Sequence, residues 1–221
     1  MFPRQSGSMD FSRVAGFLVP SLCPLCRQVA DPVSPICGDC MRELNRSVVL
    51  REDPPEGVDQ MVSCADHDGI ARELVAAFKF RHLTGLAPLI SGYMVDAAGP
   101  LAENRLIVPV PPARFRTWLR GFDPVGRLAR EMSEISEAEL PHAMPVYRKG
   151  SGRQRGRNRA GRLGDPPDIR PREDAGKVIG GRDLLLVDDV MTTGATLTAG
   201  SGALRLAGAR SVSAITFTRR L

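Results

Sequence analysis

Two carboxylates stand side by side at Asp188 and Asp189, directly after the apolar run "DLLLV" and directly before "VMTTGAT". Like charges in contact repel, so the pair asks for something that collects on it, such as sugar hydroxyls or a hydrated Mg2+. The residues that follow, Thr192, Thr193, Gly194, Ala195 and Thr196, are small and rich in hydroxyls. They lead into helix-forming sequence, so they present free N–H groups at the positive end of a helix dipole, which suits a phosphate. A ligand with a ribose and a 5′-phosphate satisfies both halves at once. A plainer role is also open, in which Asp189 or a threonine caps the next helix. No G-x-x-x-x-G-K-[ST] run occurs, and "AGKVIG" lacks its spacing, which excludes a P-loop nucleoside triphosphatase.

A second constellation is Cys23-x-x-Cys26 with Cys37-x-x-Cys40. Each tight turn aims two thiolates at one point, the arrangement of a four-thiolate zinc site, and Pro24 and Gly38 are turn residues within the pairs. Redox-active pairs and disulfides are the competing readings. The absence of a convincing secretion signal or thioredoxin-like context favours zinc, in a closed structural site. The leftover Cys64 reads as a small buried residue.

The formal charge is +5 over 221 residues, but the basic residues are concentrated. Residues 148–162 carry seven of them and no acid, and residues 111–120 add Arg114, Arg116 and Arg120, so the rest of the chain is net negative. Local basicity points to specific anion sites rather than to a generally DNA-coating surface. No apolar run is long enough to span a bilayer, and residues 13–23 imitate a secretion signal only weakly, so a cytoplasmic protein is expected.

The elements that must position these groups follow from periodicity. "IARELVAAFKF" places Ile70, Leu74, Val75 and Phe78 on one helical face. "LAPLISGYMVDAA" reads as a helix with Pro88 in its first turn, and "DPVGRLAREMSEIS" as another that buries Val125, Leu128, Ala129 and Met132. "RLIVPVPP" is a short strand ended by prolines, and "MPVYR" a further strand candidate. Residues 149–177 read as one long loop. "DLLLVDD", "TLTAGSGALRLAGA" and "SVSAITFTR" form a βαβ unit, so the acidic pair lies at the carboxyl end of a strand, where parallel sheets bind ligands.

The string "LLLVDDVMTTGAT" resembles the phosphoribosyl pyrophosphate (PRPP) motif of type I phosphoribosyltransferases. Together with the cysteine pairs, "AAFKFRH", "LIVPVPPARFRTWLRGF" and the C-terminal βαβ unit, it makes nearly the whole chain resemble the ComF family of competence proteins. That resemblance implies an α/β fold, with a type I phosphoribosyltransferase-like parallel sheet flanked by helices and an N-terminal zinc ribbon. Read along its length, the chain divides into a lead segment at 1–19, a ribbon at 20–44, a connector at 45–62 and the phosphoribosyltransferase-like domain at 63–221. The resemblance further implies that Asp188 and Asp189 hold the ribose hydroxyls at the reacting centre, and that Met191, Thr192, Thr193, Gly194, Ala195 and Thr196 complete the PRPP site. Arg114, Arg116 and Arg120 would face pyrophosphate, with Mg2+ entering together with PRPP.

The implied activity is phosphoribosyl transfer with pyrophosphate release to an unidentified acceptor, in a DNA-uptake context. The alternative is a non-catalytic PRPP sensor or single-stranded-DNA-binding adaptor that contacts a helicase-like partner. Two departures bear on that choice. Asp123-Pro124 follows Arg120-Gly121-Phe122 where the family has Asn-Gln, and that acid either repels pyrophosphate or caps the next helix. The family's basic loop is shortened, with Gln154 and Asn158 as counterparts. His67, His82 and His142 lack ligand spacing and are expected to be surface or hydrogen-bonded residues, and Trp118 is expected to pack its basic loop against the core.

Overall fold

A computed structural model describes residues 22–30, 34–139, 141, 144–149 and 166–220. The expected lead segment, residues 150–162 of the basic tract with Gln154 and Asn158, and His142 lie outside the described residues. The chain divides between Arg46 and Ser47 into two units.

In the first unit the fold is organised by the cysteines. Leu22 bridges Val29 in antiparallel fashion. This closes a turn in which the Cys23 N–H donates to Gln28 O at 2.7 Å and the Arg27 N–H to Cys23 O at 2.9 Å. The second pair opens α1 (Gly38–Leu44), and the Met41 N–H donates back to Cys37 O at 3.0 Å. Ile36 and Leu44 are the main buried side chains besides the cysteines. Among the described residues this apolar cluster is small, and a metal held by the four cysteines would cross-link the unit.

The second unit carries β1 (Leu50–Glu52), β2 (Gln60–Asp66), α2 (Gly69–Phe80), α3 (Ala87–Ala98) and β3 (Leu106–Pro109). These are followed by α4 (Arg114–Arg120), α5 (Pro124–Ser136), β4 (Val146–Arg148), β5 (Ile169–Pro171) and α6 (Ala175–Ile179). The expected βαβ unit closes the chain as β6 (Asp183–Met191), α7 (Ala195–Leu206) and β7 (Ser211–Arg219). The sheet order is β1-β2-β7-β6-β3, parallel throughout except for β1. This is the expected α/β class, a largely parallel sheet flanked by helices.

Alternation sets the two faces. Leu106, Val108, Leu184, Leu186, Val212 and Ala214 form one cluster with Leu197, Ala203 and Leu204 of α7. Helices α3 and α5 cover the other face, joined where Ser91 Oγ donates to Leu128 O at 3.1 Å. As expected, Val125, Leu128, Ala129 and Met132 of α5 are buried. Gly200, a helix-weakening residue by propensity, packs closely on the sheet, where a Cβ would lie 3.1 Å from Leu186 Cδ2 and press on that side chain.

Three expectations differ from the structure. The stretch 45–62 carries β1 and the start of β2, and it is fastened to α7. Arg205 Nε donates to Gly57 O at 2.8 Å, its Nη2 meets Asp59 Oδ1 at 2.7 Å, and Ser201 Oγ donates to Glu56 O at 3.2 Å. The sequence reads this stretch as a connector, but these long-range hydrogen bonds fix it in place. Within 149–177, β5 pairs with β4 and α6 follows, because Ile169, Ala175 and Ile179 are spaced to reach the core. Residues 114–120 form a helix rather than a loop, and on it Trp118 is 78% exposed.

Candidate functional site

At the carboxyl ends of β2, β3, β6 and β7 lies a cleft of about 700 Å3. Of the residues singled out in the sequence, Asp188, Asp189, Thr192, Thr196 and Arg120 line it. Thr193, Gly194 and Ala195 form the turn into α7 beside them, where the Ala195 N–H faces Thr193 Oγ1 at 3.5 Å. Gly194 holds φ +74°, and a Cβ there would meet Pro55 Cβ at 3.0 Å, so only glycine fits this turn without strain. Met191 is the last residue of β6 and packs against the core cluster instead of lining the cleft. The backbones of Arg114 and Arg116 lie in α4, and their side chains lie outside the described residues.

The carboxylate pair has a direct cationic partner. Lys79, in the last turn of α2, places Nζ 2.7 Å from Asp189 Oδ1, with both side chains largely buried. Asp188 Oδ1 accepts the Asp189 N–H at 2.8 Å. Burial, and next the Asp189 charge, push the Asp188 carboxyl up to about 8. Lys79 therefore pairs directly with Asp189, while burial disfavours the charged form of Asp188. Lys79 lies inside the string "AAFKFRH", yet nothing in helical periodicity says that a lysine beside a buried phenylalanine will reach a strand end more than a hundred residues away.

Groups outside the expected ligand set also converge here. His67, Arg72, Arg148 and Arg220 line the cleft. His67 Nδ1 lies 2.8 Å from Thr218 Oγ1, in keeping with a hydrogen-bonded histidine. Burial lowers its pKa, and the charges of Lys79, Arg220 and Arg72 lower it further. The Arg120 guanidinium lies over the Phe80 ring, 4.8 Å from its centroid. The cleft is thus strongly cationic around a compact acidic centre.

Asp123 stands at the N-cap position of α5 without closing a side-chain cap hydrogen bond. Its carboxylate approaches the Val125 and Gly126 N–H groups, but Oδ1 is buried without a hydrogen-bond partner among the described residues. Burial raises its pKa, those N–H groups lower it, and Asp189 raises it further. Capping alone does not account for a carboxylate that also lines the cleft.

The acidic pair offers too few ligands to cage Mg2+ by itself, and the described residues hold no third carboxylate close enough to join it. Mg2+ usually keeps waters and enters with substrate phosphates, and the pair fits a metal carried in that way.

The thiols form the second candidate centre. The Sγ atoms of Cys23, Cys26, Cys37 and Cys40 all lie within 4.8 Å of one another. Cys23 and Cys40 are 3.8 Å apart, and Cys26 and Cys37 are 3.4 Å apart. Tetrahedral zinc with bonds of about 2.3 Å spaces its sulfurs by about 3.8 Å, so the cluster fits the ion. Burial opposes ionisation of Cys23, but N–H groups of Cys26, Cys37 and Leu25 outweigh it and bring the thiol down to about 6. Cys40 is pushed well up by burial and by the neighbouring thiols. A bound metal would relieve that conflict by displacing protons. Cys64 is buried, points Sγ at Tyr93 O at 3.5 Å, and is pushed up to about 12, which suits an inert core residue.

No helix among the described residues is long and apolar enough to cross a membrane.

No family model matches the chain. It is 26% identical over 207 residues to the competence protein ComFC of Bacillus subtilis (strain 168), covering 90% of this chain and 78% of that one. It is 28% identical over 191 residues to competence protein F of Haemophilus influenzae, covering 80% of this chain and 82% of the relative. Among solved structures it is similar to an allosteric regulatory enzyme of purine biosynthesis, with a TM-score of 0.43 and 17% identity over 60% of this chain. The chain spans a quarter of that solved chain's length. The resemblance to ComF proteins read from the motifs thus extends along most of the sequence.

Proposed function

We propose that this chain, similar over most of its length to two competence proteins, is a phosphoribosyltransferase-like protein whose cleft binds PRPP with Mg2+. The observation that carries this reading is the juxtaposition of Asp188 and Asp189 with the Thr192–Thr196 turn in one cationic cleft. The turn suits the 5′-phosphate, the carboxylates suit the ribose hydroxyls, and Arg120 faces the end where pyrophosphate would lie.

With those groups the chemistry is displacement of pyrophosphate from the anomeric carbon. Catalysis of that kind rests on positioning and charge stabilisation, with no covalent nucleophile. Mg2+ would supply charge neutralisation on the pyrophosphate. The protein's own part is to fix the ribose through Asp188 and Asp189, to hold the phosphate on backbone N–H groups and to offer Arg120 to the leaving group. The four-cysteine unit holds a structural zinc.

Binding without transfer has one observation in its favour, the unpartnered Asp123 oxygen beside the Arg120 segment. A carboxylate there opposes pyrophosphate when ionised, which favours a sensing role in DNA uptake over turnover. Calorimetry of PRPP with Mg2+ tests the binding, and pyrophosphate release in the presence of candidate acceptors separates enzyme from sensor. No heat of binding to the folded, zinc-loaded protein would remove both readings.

A further inference from the structure

Lys79 is placed by packing. Phe78, next to it on α2, is 1% exposed and meets the Phe122 ring edge-on at 5.6 Å, so the end of this helix has little freedom. From there the ammonium reaches Asp189 Oδ1 at 2.7 Å, and Asp189 is only 6% exposed. Arg72 and Arg220 stand beside it in the cleft, and its ion-pair partner among the described residues is Asp189.

We propose that Lys79 is a specificity-determining residue: its ammonium occupies the place on Asp189 that a sugar hydroxyl or a divalent cation must take, so the cleft admits only a ligand that brings an anionic group together with its diol. This rests on the reading of the cleft as a sugar-phosphate site.

Three ligands show how the selection works. A bare divalent cation must approach two carboxylates with an ammonium already 2.7 Å from one of them. Like-charge repulsion opposes it, and moving the ammonium away leaves a buried charge unpaired. A neutral sugar can hydrogen-bond the carboxylates but leaves that ammonium equally stranded. A phosphorylated sugar supplies the missing anion, and the flexible lysine stem can swing its head to it while the carboxylates turn to the diol. Recognition of hydroxyls and recognition of phosphate then become one event.

The test uses the zinc-loaded full chain with Mn2+ as probe, followed by electron paramagnetic resonance without any other ligand. The wild type, Lys79→Met and Lys79→Arg are compared, with PRPP affinity measured in parallel by calorimetry. Lys79→Met should bind Mn2+ on the order of tenfold more tightly than the wild type, because one positive charge beside the pair is gone. Adding Asp188→Asn should abolish that gain, and Lys79→Arg should restore exclusion. PRPP should bind Lys79→Met more weakly than the wild type.

Should Lys79→Met fail to fold, Lys79→Gln carries the same expectation, with thermal unfolding as the check. Equal Mn2+ affinity in a folded neutral variant and the wild type would overturn the proposal. So would an arginine variant that binds Mn2+ as the methionine variant does. If the Mn2+ contrast is present but the wild type does not bind PRPP, the sugar-phosphate reading falls while Lys79's exclusion of cations stands. If PRPP binds and the contrast is absent, that reading survives and the role given to Lys79 is wrong.

Discussion

Phe122 meets Phe78 edge-on, with ring centroids 5.6 Å apart and planes at 73°. This contact fastens the Arg120-Gly121-Phe122 segment to the helix that carries Lys79. The two cations assigned to the anionic parts of the ligand therefore share one apolar anchor, although they come from separate elements of the chain.

Phe122→Ala should cost about 2 kcal/mol, from the half-buried ring and the lost aromatic pair. It should also weaken pyrophosphate binding several-fold by loosening Arg120, and Phe122→Leu should recover most of the stability. Chemical denaturation and pyrophosphate calorimetry on the same samples read the two effects. Unchanged pyrophosphate affinity in the alanine variant would remove the anchor role.

The purified chain should carry about one zinc, since four thiolates make one closed site. Cys37→Ser should lose the metal and unfold the four-cysteine unit, while the unit beginning at Ser47 keeps its melting transition. Metal analysis and calorimetric melting check this, and full zinc occupancy in the variant would contradict it.

Stability should depend on pH through Asp188. Its folded-state pKa is raised to about 8 by burial and by Asp189, against an unfolded value of about 4. Raising the pH through this window deprotonates the unfolded chain first, so wild-type stability contributed by this group falls between about pH 4 and pH 8. Asp188→Asn has no proton to lose. The melting temperature of the variant minus that of the wild type should therefore climb across that window and level off above it. A difference that stays flat with pH would show that Asp188 is ionised throughout.

The sheet and the acidic end of β6 were legible because a continuous apolar run, a small-residue turn and an alternating strand leave little freedom of interpretation. The buried face of α5 followed equally from its spacing. What spacing alone could not give are features made by tertiary approach. Lys79 reads as an ordinary polar residue late in an amphipathic helix, and only the fold brings it to Asp189. Gly200 looked like a weak point in α7 until Leu186 was seen against it. Ile169, Ala175 and Ile179 are too sparse among arginines and prolines to announce a strand and a helix. Trp118 was misjudged because burial is a one-way rule: large apolar residues fill cores, but an exposed aromatic on a short helix breaks no physical requirement.

The central claim is that Asp188 and Asp189 hold the ribose of PRPP. The paired change Asp188→Asn with Asp189→Asn keeps shape while removing both carboxyl groups, and it frees Lys79 from its partner. The decisive measurement is the upward shift in melting temperature produced by PRPP with Mg2+, in the wild type and in this double variant. A clear shift in the wild type and none in a folded double variant is the predicted result, because neutral amides hold a diol less strongly than carboxylates do. A double variant that shows the full wild-type shift would contradict the assignment and leave the carboxylates without a ligand-binding role.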